Sequence, residues 1–225
     1  MREKVRETKT GAMILFVVDA SGSMGAQRRM VAVKGAILSL LLDAYQRRDR
    51  VGMISFRGTG AELLLPPTGS VDLAQVHLRE MPTGGRTPLS RGLTLALEVV
   101  EIERMKDKQV LPLLVLLTDG RANVRSGMTA GETEVPGQTA PEEGDTPRGE
   151  AKLIAEVVRE QQIPALVIDT ELDFIKLGLA RPIAEAMGAH YIKLDDLGGD
   201  SLAQAVRLQV PTALPPGRPP EGSTA

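Results

Sequence analysis

The stretch ILFVVDASGSMG, residues 14–25, runs five apolar residues straight into one aspartate, two serines and two glycines. The slightly longer run MILFVV (13–18) shows no alternation of apolar and polar positions. That pattern belongs to a strand covered on both faces, as in a parallel sheet with helices on each side. The segment LPLLVLLTDG (111–120) repeats the theme of a buried strand ending in an acid. Strands are also expected over 50–56 (RVGMISF), 61–67 (AELLLPP), 164–170 (PALVIDT) and 190–194 (HYIKL). Two prolines close the third of these, which suits a short edge strand.

Helical periodicity fills the spaces between. Met30, Val31, Val33, Ile37, Leu38, Leu41 and Leu42 recur near helical spacing within 27–47. Helices are likewise expected over 70–80, 88–104, 150–162, 181–188 and 199–209, with Pro88 suited to a first turn and Gly188 to a C-terminal cap. Alternating strands and helices imply an α/β fold. The expected architecture is a doubly wound, mostly parallel central sheet with one short antiparallel edge strand and helices on both faces. One domain over 11–209 fits 225 residues that are 42% hydrophobic. Residues 1–10 read as a charged leader. Residues 124–149, rich in Gly, Thr, Glu and Pro, read as a flexible insertion. Residues 210–225 hold 5 of the 15 prolines and read as a disordered tail.

Composition narrows the function. Net charge is −2, from 27 basic and 29 acidic residues, so no nucleic-acid footprint is expected. The chain has no cysteine and two histidines, His77 and His190, which argues against disulfides and zinc. His77 reads as solvated and His190 as structural. No apolar run reaches the length of a membrane span, and the N-terminus lacks a signal-peptide core. A cytoplasmic protein is expected.

In a doubly wound sheet, ligands bind outside the carboxyl ends of the strands. Asp19 ends the first strand there, with Ser21 and Ser23 following at alternate positions. Asp119 ends another buried strand at the same edge. Thr87, in TGGRTPLS (83–90), precedes a helix at that edge. Two carboxylates and three hydroxyls suit a hard cation, above all magnesium, with manganese able to serve in its place. Such a set leaves a coordination position for an outside ligand, and a carboxylate from another protein fits it. Arg86 and Arg121 flank the site and are candidates for pairing with partner acids. Asn123 is expected to order its loop. Asp169 and Glu171 end a strand at the same edge and read as a strand-end turn.

The residues Asp19, Ser21, Ser23, Thr87 and Asp119, with T-D-G at 118–120, resemble the metal-ion-dependent adhesion site of von Willebrand factor A domains, also called integrin I domains. The intervening text is similar to the C-terminal A domain of magnesium chelatase D subunits. It comprises FVVDASGSMG (16–25), AVKGAILSLL (32–41), AYQRRDRVGMISFRG (44–58), LLLPPTGSV (63–71), PTGGRTPLSRGL (82–93) and LTDGRANV (117–124). This resemblance implies a non-catalytic magnesium-dependent interaction module with no active centre of its own. Its implied partners are an AAA+ ATPase subunit and a large porphyrin-binding subunit. The assembly would insert a metal into a tetrapyrrole with ATP hydrolysis, in chlorophyll, bacteriochlorophyll or cobalamin-type synthesis. The chain lacks a Walker A motif, so it is expected to be a fragment of a D subunit or a stand-alone relative. Two other readings stand beside it. One is an A-domain adaptor for a MoxR-type AAA+ ATPase. The other is a magnesium-dependent phosphatase, which would need a second aspartate where this chain has Ser21.

Overall fold

The computed structural model describes residues 11–21, 30, 31, 34–36, 38, 39, 42, 49–79, 84–124, 146–171, 177–196 and 201–211. The charged leader lies outside them. So do nearly all of the 124–149 insertion and of the Pro-rich tail.

The strands are β1 (Ala12–Asp19), β2 (Arg50–Arg57), β3 (Gly60–Thr68), β4 (Leu111–Thr118), β5 (Ala165–Asp169) and β6 (His190–Lys193). They form one six-stranded sheet in the order β3-β2-β1-β4-β5-β6. Every pairing is parallel except that of β2 with the edge strand β3. The helices are α1 (described at 30, 31, 34–36, 38, 39 and 42), α2 (Val71–Arg79), α3 (Leu89–Lys106), α4 (Pro147–Glu160), α5 (Ala180–Met187) and α6 (Ser201–Gln209). A 3₁₀ turn, Leu194–Asp196, follows β6.

β1 is the centre of the molecule, and all eight of its residues are buried. Met13, Leu15 and Val17 face one core, packed under α3, α4 and α5. Ile14, Phe16 and Val18 face the other, packed under α1, α2 and α6. The unbroken apolar run therefore serves two cores by simple alternation, each buried side chain contributing about 1.5–3 kcal/mol. The edge strand differs from expectation in one respect. Pro66 and Pro67 do not stop β3, which runs on to Thr68 and is nine residues long. Register shifts against Val51, Met53 and Ile54 absorb the missing ladder donors. α4 begins at Pro147, three residues before the expected start, because Thr146 caps it by accepting from Gly149 N at 2.9 Å. α5 ends at Gly188, which adopts the left-handed conformation.

At the amino edge of the sheet, opposite the carboxyl ends, Glu103 is buried between Arg50 and Lys106, the latter at 2.7 Å. Burial pushes the Glu103 carboxyl upward. The Lys106 hydrogen bond, with the charge and hydrogen bond of Arg50, outweighs that and holds it below the ordinary value. A carboxyl depressed in the folded state adds stability above its unfolded value, near pH 4.3, and loses it as pH falls through the folded value. Glu103→Gln is therefore expected to cost about 2 kcal/mol at pH 7, and the difference from wild type should shrink below about pH 4. Urea denaturation at both pH values checks this; an equal deficit at both would refute it.

Candidate metal centre

The strand order reverses direction between β1 and β4, and the crevice outside their carboxyl ends is where such sheets bind ligands. Val18 pairs with Leu117 across these two strands, so Asp19 and Asp119 leave neighbouring strands almost level. Asp19 is 0% exposed, Ser21 5%, Thr87 3% and Asp119 5%. Four of the five expected donors are thus buried oxygen side chains around one sheet edge. The fifth, Ser23, lies outside the described residues.

Each acid is shaped by its own turn. Asp19 Oδ1 accepts from Ser21 N at 2.9 Å, and Asp119 Oδ1 accepts from Arg121 N at 3.0 Å. These local bonds fix the carboxylates at the ends of rigid strands. Thr118 adds to the second turn, its Oγ1 accepting from Gly120 N at 3.0 Å.

Thr87 is held by three neighbours. Gly84 N donates to Ala20 O at 2.8 Å, tying its loop to the chain after β1. Gly58 N donates to Arg86 O at 2.9 Å, tying it to the β2–β3 hairpin. Thr87 N donates to Asn123 Oδ1 at 2.7 Å, and Asn123 N donates back to Thr87 O at 3.2 Å. The loop-ordering role expected of Asn123 is thus a reciprocal clasp between the Thr87 and Asp119 loops. Asn123→Ala is expected to lower stability by about 1 kcal/mol, and Asn123→Asp, which keeps the acceptor, to recover most of it; urea midpoints decide.

The flanking arginines differ. Arg121 Nε lies 3.7 Å from Asp119 Oδ2, with its side chain 44% exposed. It leans on an acid of the site itself. Arg86 is half-buried, and its carbonyl anchors the hairpin.

Asp169 shows the same turn a third time, its Oδ1 accepting from Glu171 N at 2.9 Å. Its Oδ2, however, accepts from the Tyr191 hydroxyl. Burial first, then the Asp169 hydrogen bond and charge, push the Tyr191 phenol up to about 12. Arg181 sits 4.8 Å above the Tyr191 ring. Glu171 accepts from Leu177 N and Gly178 N at 2.7 and 3.0 Å. Both acids are engaged in local structure, as the strand-end reading expects. Sequence reasoning missed Tyr191. Register could have found Tyr191, which lies beside Val167, two residues before Asp169 on the same face. His77 is exposed on α2, and His190 is exposed at the start of β6.

The donor chemistry fits a hard cation: buried carboxylate and hydroxyl oxygens, with no sulfur or imidazole among the four. Among the described residues no three His, Asp or Glu side chains gather into a metal cluster.

A doubly wound sheet of this order, with an acid and serines after β1 and a T-D-G turn after β4, defines a class. The von Willebrand factor type A domain model matches residues 14–121, and the chain belongs to that family. The solved A domain of the type V pilus tip protein from Porphyromonas gingivalis covers 92% of this chain and 98% of its own, with a TM-score of 0.65 at 13% identity. Within the family, the chain is homologous to magnesium-chelatase subunits. It is 39% identical to the magnesium-chelatase 67 kDa subunit of Heliobacterium mobile over 93% of this chain and 30% of that one. An uncharacterised Mycobacterium tuberculosis protein is 42% identical over 92% of this chain and 30% of its own length. An uncharacterised Methanocaldococcus jannaschii protein is 39% identical over 80% of this chain and 94% of its own. The chain thus spans under a third of two of these relatives and nearly all of the third. Among the described residues no helix is long and apolar enough to cross a membrane.

Proposed function

We propose that this A domain is a non-catalytic, magnesium-dependent interaction module of a chelatase-type D subunit. The observation that supports the reading is that Asp19, Ser21, Thr87 and Asp119, all buried oxygen donors, lie on chain segments at the switch point of the sheet. Ser23 and these four would hold the ion. Manganese would serve in its place. Bound magnesium would supply an electrophilic centre with a position open to a carboxylate from a partner protein. The chain's own residues do the rest: strand-end turns fix the two acids, and the Asn123 clasp sets Thr87 against them. Arg121, which leans on Asp119, and Arg86 would flank the ion and pair with acids on the partner.

Homology to magnesium-chelatase subunits supports partners of the chelatase kind: an AAA+ ATPase subunit and a large porphyrin-binding subunit. In that setting the domain supports ATP-dependent metal insertion into a tetrapyrrole without performing it.

The test uses the immobilised chain and the purified ATPase and porphyrin-binding subunits of a magnesium chelatase, in magnesium and then in EDTA. Retention in magnesium that is lost in EDTA is the expected result. Equal retention in both, or none in either, would overturn the reading.

A further inference from the structure

Among the described residues, backbone hydrogen bonds tie the Thr87 loop to three neighbours, and one of these carries no donor of the site. Gly84 N meets Ala20 O beside Asp19, and Asn123 N meets Thr87 O near the Asp119 turn. The third bond, Gly58 N to Arg86 O at 2.9 Å, reaches the turn of the β2–β3 hairpin. That turn is two residues long, Gly58 and Thr59, between the paired Arg57 and Gly60. Gly58 has a φ of +62°, and glycine suits the first central position of so tight a hairpin. Beside the hydrogen bond the two loops touch backbone to backbone. A Cβ on Gly85 would lie 3.2 Å from both Cα and N of Gly58, which is closer than ordinary van der Waals contact. Neither of those atoms has a rotamer to yield. Gly84, one residue earlier, has a φ of +120° and open space where its Cβ would go. The close approach therefore belongs to Gly85 and not to the loop's glycines in general.

We infer that Gly85 is a positioning residue for the ion: its bare backbone lets the Thr87 loop seat against the β2–β3 hairpin, and that seat sets Thr87 relative to Asp19. The inference rests on the magnesium site proposed above. The hairpin is a firm stop, because Ala20 N donates to Phe56 O at 3.1 Å and so ties the end of β2 to the residue after Asp19. A side chain at position 85 has to move the loop off this stop by a few tenths of an ångström, two residues before Thr87. The fold tolerates such a shift in a surface loop. Magnesium does not, because it demands near-ideal octahedral geometry with oxygens at about 2.0–2.1 Å. The hairpin thus belongs to the site although it offers the ion no atom.

The experiment compares wild type, Gly85→Ala and Gly84→Ala in two measurements. The first is made in EDTA and follows hydrogen exchange of the Gly58 amide by ¹⁵N NMR, independent of any metal. Exchange should be about tenfold faster in Gly85→Ala and within about twofold of wild type in Gly84→Ala. The second is magnesium affinity, read from the rise in Tm with magnesium concentration. Gly85→Ala should bind about tenfold more weakly, as expected for an outer partner of a ligand, and Gly84→Ala within about twofold of wild type. Both variants place a side chain at positive φ, so both should lower the Tm in EDTA. A loss of stability alone therefore does not imitate the expected result. Unchanged Gly58 exchange or undiminished magnesium affinity in Gly85→Ala, or equal losses in the two variants, would overturn the inference. A wild-type Tm that does not respond to magnesium would instead overturn the magnesium reading, and the inference with it.

Discussion

Asp19→Asn is expected to keep the fold and to abolish the response to magnesium that the proposed site would give. The amide oxygen still accepts from Ser21 N, so the turn after β1 survives. Asn is nearly isosteric in a site that is 0% exposed, and stability in EDTA should stay within about 1 kcal/mol of wild type. In the proposed site the ion would lose one of its two carboxylates. Removing even an outer partner of a metal ligand costs roughly 10–100-fold in affinity, so loss of a direct ligand should reach on the order of 100-fold or more. Wild type at a hundred times its dissociation constant gains about 2.7 kcal/mol, visible as a higher Tm in magnesium than in EDTA. In the variant the two melting curves should coincide. A magnesium-induced rise of wild-type size would show that Asp19 is not a ligand.

The second large effect is structural. Gly120 has a φ of +74°, and a Cβ there would lie 2.1 Å from Leu179 C and 2.2 Å from Ala180 N. The left-handed conformation alone costs a residue with a side chain about 1–2 kcal/mol. The overlap is with backbone at the start of α5, which has no rotamer to yield, and adds about 1–3 kcal/mol more. Gly120→Ala should therefore destabilise by roughly 4 kcal/mol. Gly188→Ala is the control. It shares a positive φ of +63°, but its Cβ would meet only the Arg159 side chain at 3.3 Å. About 1 kcal/mol is expected there. Equal losses in the two variants, read from urea denaturation, would mean that the φ penalty and not the overlap governs Gly120.

Much of this architecture is legible in the chain because burial on two faces leaves a plain mark. A strand such as β1 or β4 has no polar position until it reaches the sheet edge, so Asp19 and Asp119 stand out as the first residues beyond the core. The edge position of β3 follows from Pro66 and Pro67, although the strand bulges past them where a simple stop was expected. Long-range side-chain partners leave no such mark. Asn123 reaches Thr87 across 36 residues, and Tyr191 reaches Asp169 across 22, through contacts that no periodicity encodes. The same turn geometry at Asp19, Asp119 and Asp169 looks alike in the sequence. Only the packing of β6 beside β5 reveals that the third is occupied by a phenol.

The order of the strands also sets when the site comes into being. Asp19 and Asp119 lie a hundred residues apart in the chain and meet because β1 pairs with β4. β2, β3, α2 and α3 all intervene, so closing that loop is among the longest-range events of folding, with an entropy that must be met before any contact rewards it. A hairpin, a helix or the first half of the chain alone has no paired carboxylates to offer. Affinity for a divalent ion at this edge, as proposed, would therefore report on the pairing of β1 with β4, and a chain released before β4 is in place would be silent to it.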